Sequence, residues 1–280
     1  MPNPCYQVYG AAALSAGAAP EYVPAFRDGN FMPAFPALPE ETLARTALAY
    51  VCSPANPQGT VADLDYLKDL IRLARAHDFV LAVDECYSEI YGGTPPPGAL
   101  EACRVLVDEG EGDAANPFDH VLVFHSLSKR SNLPGLRSGF VAGAPDLVAE
   151  FARLRSYGGP ASPLPVYAAA AAAWGDEAHV EASRALYRRK FDLAGEILGD
   201  RFGFYRPEGG FFLWLDVGDS EAAALKLWRE AGVRTLPGVY LASADASGFN
   251  PGAGYLRLAL VEGLDRTAEA FRRIVATLDA

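Results

Sequence analysis

A lysine, two serines and an arginine stand close together in Ser126-Leu127-Ser128-Lys129-Arg130-Ser131-Asn132-Leu133-Pro134-Gly135-Leu136-Arg137. A lysine amine can form a Schiff base with a carbonyl, and hydroxyls with a guanidinium eight residues on can converge on an anion beside it. The stretch therefore has the parts to hold a cofactor that carries both a carbonyl and a phosphate. The apolar run Val121-Leu122-Val123-Phe124 before it reads as a buried parallel strand, and Gly139-Phe140-Val141-Ala142-Gly143 follows as another strand. Lys129 is thus expected just past the C-terminal end of a strand, on a loop too rich in Ser, Asn, Pro and Gly to be helix. A solvated basic loop is the plain alternative for a lone lysine, and the rest of the chain has to decide between the two.

The elements that would position such a site are spread through the first 175 residues. Ala47-Leu48-Ala49-Tyr50-Val51-Cys52 reads as a buried strand, and the turn residues of Ser53-Pro54-Ala55-Asn56-Pro57-Gln58-Gly59 place Asn56 past its end. Thr60-Val61-Ala62-Asp63 reads as a capping box, and Leu64, Leu67, Leu70, Ile71 and Ala74 form one apolar helical face. Phe79-Val80-Leu81-Ala82-Val83 is the next strand, with Asp84-Glu85-Cys86-Tyr87 at its C-terminal end. Strand, helix, strand in this rhythm predicts right-handed βαβ units and an α/β fold, a mainly parallel sheet with helices on both faces. Residues 99–118, rich in Gly and acid, are expected to cover that sheet poorly. Asn56, Asp84 and Lys129 each follow a strand, at the edge where open α/β sheets bind ligands.

The chain has 280 residues, enough for one large or two modest domains. The boundary is expected near residue 175, with residues 1–175 forming the sheet domain and residues 176–280 a smaller α+β domain. A net charge of −11 without a Lys/Arg block argues against nucleic acid and anionic membrane, leaving small molecules as partners. No apolar run reaches the roughly 18–20 residues of a membrane span. The start shows no secretory signal pattern, so a cytoplasmic protein is expected. Cys5, Cys52, Cys86 and Cys103 share no metal-ligand spacing, and we read them as reduced thiols with no metal site.

Two positions outside the sheet edge carry a choice. Arg257 interrupts the apolar strand Tyr255-Leu256-Arg257-Leu258-Ala259-Leu260, so it either faces solvent or meets an anion, and a guanidinium fork suits a carboxylate. In Met1-Pro2-Asn3-Pro4-Cys5-Tyr6-Gln7-Val8-Tyr9 the tyrosines either pack as core or present rings to a ligand.

Taken jointly, Asn56-Pro57-Gln58-Gly59, Asp84-Glu85-Cys86-Tyr87, the segment from Ser126 through Gly139, and Tyr255-Leu256-Arg257 resemble, in order, the signature segments of fold-type I, class I/II pyridoxal-phosphate aminotransferases. The wording from Ser126 to Gly143 and Asn250-Pro251-Gly252-Ala253-Gly254-Tyr255 is most similar to the N-succinyldiaminopimelate aminotransferases of lysine biosynthesis. The resemblance implies that Lys129 binds pyridoxal 5'-phosphate covalently and shuttles a proton. It also implies that Asp84 pairs with the pyridine nitrogen, that Asn56 and Tyr87 bond the ring oxygen, and that Ser126, Ser128 and Arg137 hold the phosphate. Arg257, with Asn56, would take the substrate α-carboxylate, and Tyr6 would stack on the pyridine face. The implied partners are an amino acid, with N-succinyl-LL-2,6-diaminopimelate foremost, and 2-oxoglutarate, in a homodimer if the protein is complete. Family members run to about 400 residues, as two such domains require. The chain is therefore expected to lack their N-terminal part: an arm, the first sheet strand, a phosphate loop at a helix N-terminus, and a tyrosine lent across the dimer. Weak cofactor binding and an open sheet edge at residues 139–143 would result. Another amino-acid transaminase, a carbon–sulfur lyase, or a non-catalytic fragment would share these residues.

Overall fold

The computed structural model describes residues 1–159 and 161–279. Its larger sheet has the strand order Leu48–Cys52, Val80–Asp84, Val121–Ser126, Gly139–Gly143. The first three strands run parallel and the fourth is antiparallel to its neighbour. The α/β expectation holds, with a mixed, mostly parallel sheet. In the register of the parallel pairs, Cys52 lies opposite Asp84, and Asp84 opposite Phe124. The C-terminal ends of the first two strands are thus level, the third runs two residues further to Ser126, and the residues just past them lie along one rim. Gly139–Gly143 lies at the edge of this sheet, with Phe140 47% exposed.

The helix Leu64–Ala76 buries Leu67, Leu70, Ile71 and Ala74, the face read from its spacing. Its N-cap is Asp63, whose carboxylate accepts from Tyr66 N at 2.7 Å, in place of the box expected to start at Thr60. The expectation that residues 99–118 cover the sheet poorly is corrected. Ala99–Asp108 is a helix whose Ala99, Ala102, Cys103 and Leu106 are buried in the same core as the strands. Glu85, beside Asp84, supplies its cap: Oε1 accepts from Ala99 N at 2.7 Å, while Oε2 lies 2.9 Å from His125 Nε2. Leu106→Ala should cost about 2–5 kcal/mol, because the surrounding core can only partly close on the space left. Urea unfolding checks this, and a change below about 0.5 kcal/mol would mean that the helix does not pack as described.

A second core gathers around the three-stranded antiparallel sheet Phe212–Asp216, Tyr255–Ala259, Leu236–Pro237. The helices Ala178–Leu198 and Leu264–Leu278 contribute Tyr187, Phe191, Ala194, Leu198, Phe271 and Ile274 to it. Cys52, Tyr87 and Ile90, at the ends of the larger sheet, belong to this second core as well. Backbone also meets backbone where the two sheets join. Gly209 N donates to Gly59 O and Gly210 N to Ile90 O. Gly59 has φ +76°, and a Cβ there would stand 2.8 Å from Gly209 O, so this approach needs glycine.

Candidate active site

Asp84 closes its strand, and its carboxylate is held from both sides. Oδ2 accepts from Tyr9 OH at 2.6 Å and Oδ1 from Cys86 N at 3.1 Å. Tyr9 lies in the helix Val8–Ser15, and its ring stacks on Tyr50 at 4.6 Å with 5° between planes. Burial is the chief reason that the Tyr9 phenol titrates well above the ordinary range, with Cys52 and the Asp84 carboxylate adding to it. Tyr9 therefore stays a proton donor to Asp84. This role is not among the expectations drawn from the sequence. The available signal was a tyrosine in an otherwise apolar Ala/Leu helix, since a buried phenol needs a partner.

Lys129 departs from its expected setting. It sits within one helical turn, Leu127–Arg130, because Ser126 acts as N-cap: its Oγ accepts from Ser128 N at 3.0 Å. The ammonium lies over the rings of Phe211 at 5.1 Å and Tyr87 at 5.7 Å. Burial pulls its pKa below that of an ordinary lysine. The charges of Arg257 and Arg137 push in the same direction, while Cys86 and Asp84 oppose them. The charges of Asp84, Arg137 and Arg257 thus all reach Lys129.

Arg257 faces Trp214 across the antiparallel pair of the smaller sheet. Its Nη1 donates to Asn56 Oδ1 at 2.9 Å, and the guanidinium lies 4.5 Å from the Phe212 ring centre. Its Nε is buried and finds no partner among the described residues, and burial lowers its pKa. This is a desolvated cation with spare donor capacity, the state in which an anion is most welcome. Asn56 is 6% exposed, and with its oxygen taken by Arg257 its amide nitrogen remains free to donate elsewhere. The Tyr87 ring is buried against Phe211 and Phe212, and burial raises its pKa.

Of the predicted phosphate ligands, Ser126 and Ser128 belong to the Leu127–Arg130 turn and Arg137 follows the next turn, Pro134–Leu136; Ser126 and Arg137 are engaged locally. Ser126 Oγ donates to Ser138 O at 3.3 Å, and Arg137 donates from Nη1 to Pro134 O at 2.9 Å. Arg137 is exposed and adopts φ +51°. Ser128 is half-buried beside Lys129. Tyr6 is 43% exposed and sits edge-on to the buried Tyr9, with 5.7 Å between ring centres.

The chain belongs to the family described as aminotransferase class I and II, whose model matches residues 1–271. It is 30% identical over 282 residues to an LL-diaminopimelate aminotransferase of Syntrophobacter fumaroxidans, covering 98% of this chain and 67% of the relative. The crystal structure of an aminotransferase from Neisseria meningitidis superimposes with a TM-score of 0.89 at 42% identity, covering 99% of this chain and 68% of that one. A structure of a probable N-succinyldiaminopimelate aminotransferase from Thermus thermophilus matches with a TM-score of 0.84 at 26% identity, covering 99% and 70%. The chain thus spans about two thirds of the length of these relatives. The family uses pyridoxal phosphate, and no helix among the described residues is long and apolar enough to cross a membrane.

Proposed function

We propose that this chain performs the cofactor and substrate work of an amino transfer between an amino acid and a 2-oxo acid, with Lys129 as the reactive amine. The observation that carries this reading is the setting of Lys129 just past the strand Val121–Ser126, where its ammonium lies over the Phe211 and Tyr87 rings and the charges of Asp84 and Arg257 both reach it. The donor set fits pyridoxal phosphate. Asp84, fixed by Tyr9 and Cys86, would meet the pyridine nitrogen, and Lys129 the aldehyde carbon. The Asn56 amide and the Tyr87 hydroxyl would meet the ring oxygen. Ser126, Ser128 and Arg137 would hold the phosphate, with Tyr6 against the ring. When bound, the cofactor supplies an electron sink for charge developing at the substrate Cα.

The chain's own residues supply the rest. Arg257 and Asn56 would bind and orient the α-carboxylate, so that the Cα–H faces Lys129. The Lys129 amine, kept neutral more readily by burial and by two nearby arginines, would take the proton from Cα and return it elsewhere. Phe211 and Tyr87 would flank the amine with rings, and Phe212 lies against Arg257.

For the substrate, we infer a diaminopimelate bearing an N-succinyl group, with glutamate and 2-oxoglutarate as the other pair. The motif wording at residues 126–143 and 250–255 supports this, as do the names of two of the relatives, one of which carries no succinyl group. The deciding experiment measures kcat/KM for succinylated and free diaminopimelate, aspartate and tyrosine, in wild type and in Arg257→Gln. The succinylated substrate should lead, and Arg257→Gln should raise KM by about 10- to 100-fold for every substrate, as loss of one charged hydrogen bond implies. Equal kcat/KM for aspartate or tyrosine would overturn the substrate, and an unchanged KM in Arg257→Gln would overturn the carboxylate site.

A further inference from the structure

The three residues after Lys129 all reach to the same place. Arg130, 6% exposed, donates to Ala173 O at 2.8 Å, pairs with Glu177 and lies 5.2 Å from the Trp174 ring centre. Ser131 Oγ is 2.8 Å from His179 Nε2, and the other ring nitrogen of His179 meets the Asp176 carboxylate. Asn132 donates from Nδ2 to Ser183 Oγ at 2.8 Å, and its Oδ1 accepts from Tyr187 OH at 3.4 Å. His179, Ser183 and Tyr187 recur every four residues, which puts them on one stripe of the helix Ala178–Leu198. Tyr187 then stacks on Phe211 at 5.5 Å, and Phe211 is the ring beneath the Lys129 ammonium. The contacts close a circuit from the lysine's backbone, through Asn132 and Tyr187, to the lysine's own amine.

We propose that His179, Ser183 and Tyr187 are positioning residues for Lys129, fastening both its backbone turn and its amine to the connecting helix. This rests on the reading of Lys129 as the reactive amine. A four-residue helical turn is too short to hold itself, because nucleation is not repaid over so few bonds. After it, Ser131 N and Leu133 N both donate to Leu127 O, and Asn132 takes φ +52°. Such a turn keeps its place through side-chain ties, and a misplacement of about 1 Å at a reacting group can lower a rate about a hundredfold. The order Ser131–His179–Asp176 is that of a nucleophile triad, but Ser131 is 7% exposed, which closes its oxygen to an acyl substrate and leaves it as a tie.

The test replaces the helix side of the ties and leaves the lysine turn intact. His179→Ala with Ser183→Ala puts good helix formers at two helical positions, so the fold is kept. In the protein without added cofactor, hydrogen exchange at the Ser131 and Leu133 amides should quicken at least about tenfold, with the amides of the helix Ala178–Leu198 unchanged. With pyridoxal phosphate, kcat should fall about 10- to 100-fold at nearly constant KM. His179→Gln with Ser183→Thr, which restores a polar atom near each lost position, should recover both readouts. Ser183→Ala alone should show a smaller change in the same direction. Unchanged exchange, or a loss that the Gln/Thr pair does not recover, would overturn the positioning role. Borohydride reduction of the loaded wild type separates the two readings: a label on a lysine other than Lys129 would overturn the catalytic premise, whatever the exchange result.

Discussion

Lys129→Ala will abolish the visible absorbance of cofactor joined to lysine and lower kcat by about a thousandfold or more, the usual scale for losing a positioned nucleophile and proton carrier. The chain has four lysines, and the other three, Lys68, Lys190 and Lys226, are committed or distant. Lys68 pairs with Glu109 and Asp65, Lys190 donates to Leu260 O at 2.7 Å, and Lys226 ends the helix Ser220–Lys226. Unfolding does not explain the expected loss. The Lys129 pKa is lowered in the folded protein, so the fold binds fewer protons than the unfolded chain between that value and the ordinary 10.5. Stability on this account rises with pH through that window and is missing below it, so at neutral pH the ammonium is an electrostatic cost. Removing it should leave Tm of the cofactor-free protein unchanged or raised. The same shift predicts that cofactor attachment speeds up with pH and levels off below 10.5. A variant that keeps a borohydride-reducible label would sink the assignment of Lys129.

Asp84→Asn should retain cofactor yet lower kcat by about 10²- to 10⁴-fold, since a neutral amide cannot hold a ring nitrogen protonated. Tyr9→Phe sharpens the test. It removes one of the two hydrogen bonds that aim the carboxylate, and a bond to a charged group is worth about 1.5–3 kcal/mol, so a loss of about 10- to 100-fold is expected. Wild-type turnover in Asp84→Asn, or a larger loss in Tyr9→Phe than in Asp84→Asn, would contradict this order of roles.

The rim of the sheet was legible because its signals are local. Apolar runs of four to six residues, each ending in turn chemistry, place Asn56, Asp84 and Lys129 at or after strand ends, and the pairing of Cys52 with Asp84 makes the first two ends level. What escaped the sequence depends on partners far along the chain. Tyr9 and Asp84 are 75 residues apart, and nothing near Tyr9 announces a carboxylate. The turn at Lys129 looked like loop because its helical character comes from the Ser126 cap and from ties to residues 173–187. The helix Ala99–Asp108 was hidden by the Gly and acidic residues that follow it, although Ala99, Ala102, Cys103 and Leu106 carry a helical spacing. Arg257 could be read only as a choice between solvent and anion. Its bond to Asn56, 201 residues earlier, brings it to the rim.

The central claim, that one particular amine of this chain engages the cofactor, is tested most directly by mapping where the cofactor attaches. Protein incubated with pyridoxal phosphate, reduced with borohydride and digested should carry the added mass on a single peptide, at Lys129 in Ser126-Leu127-Ser128-Lys129. A label spread over Lys68, Lys190 and Lys226, or absent from Lys129, would contradict the account.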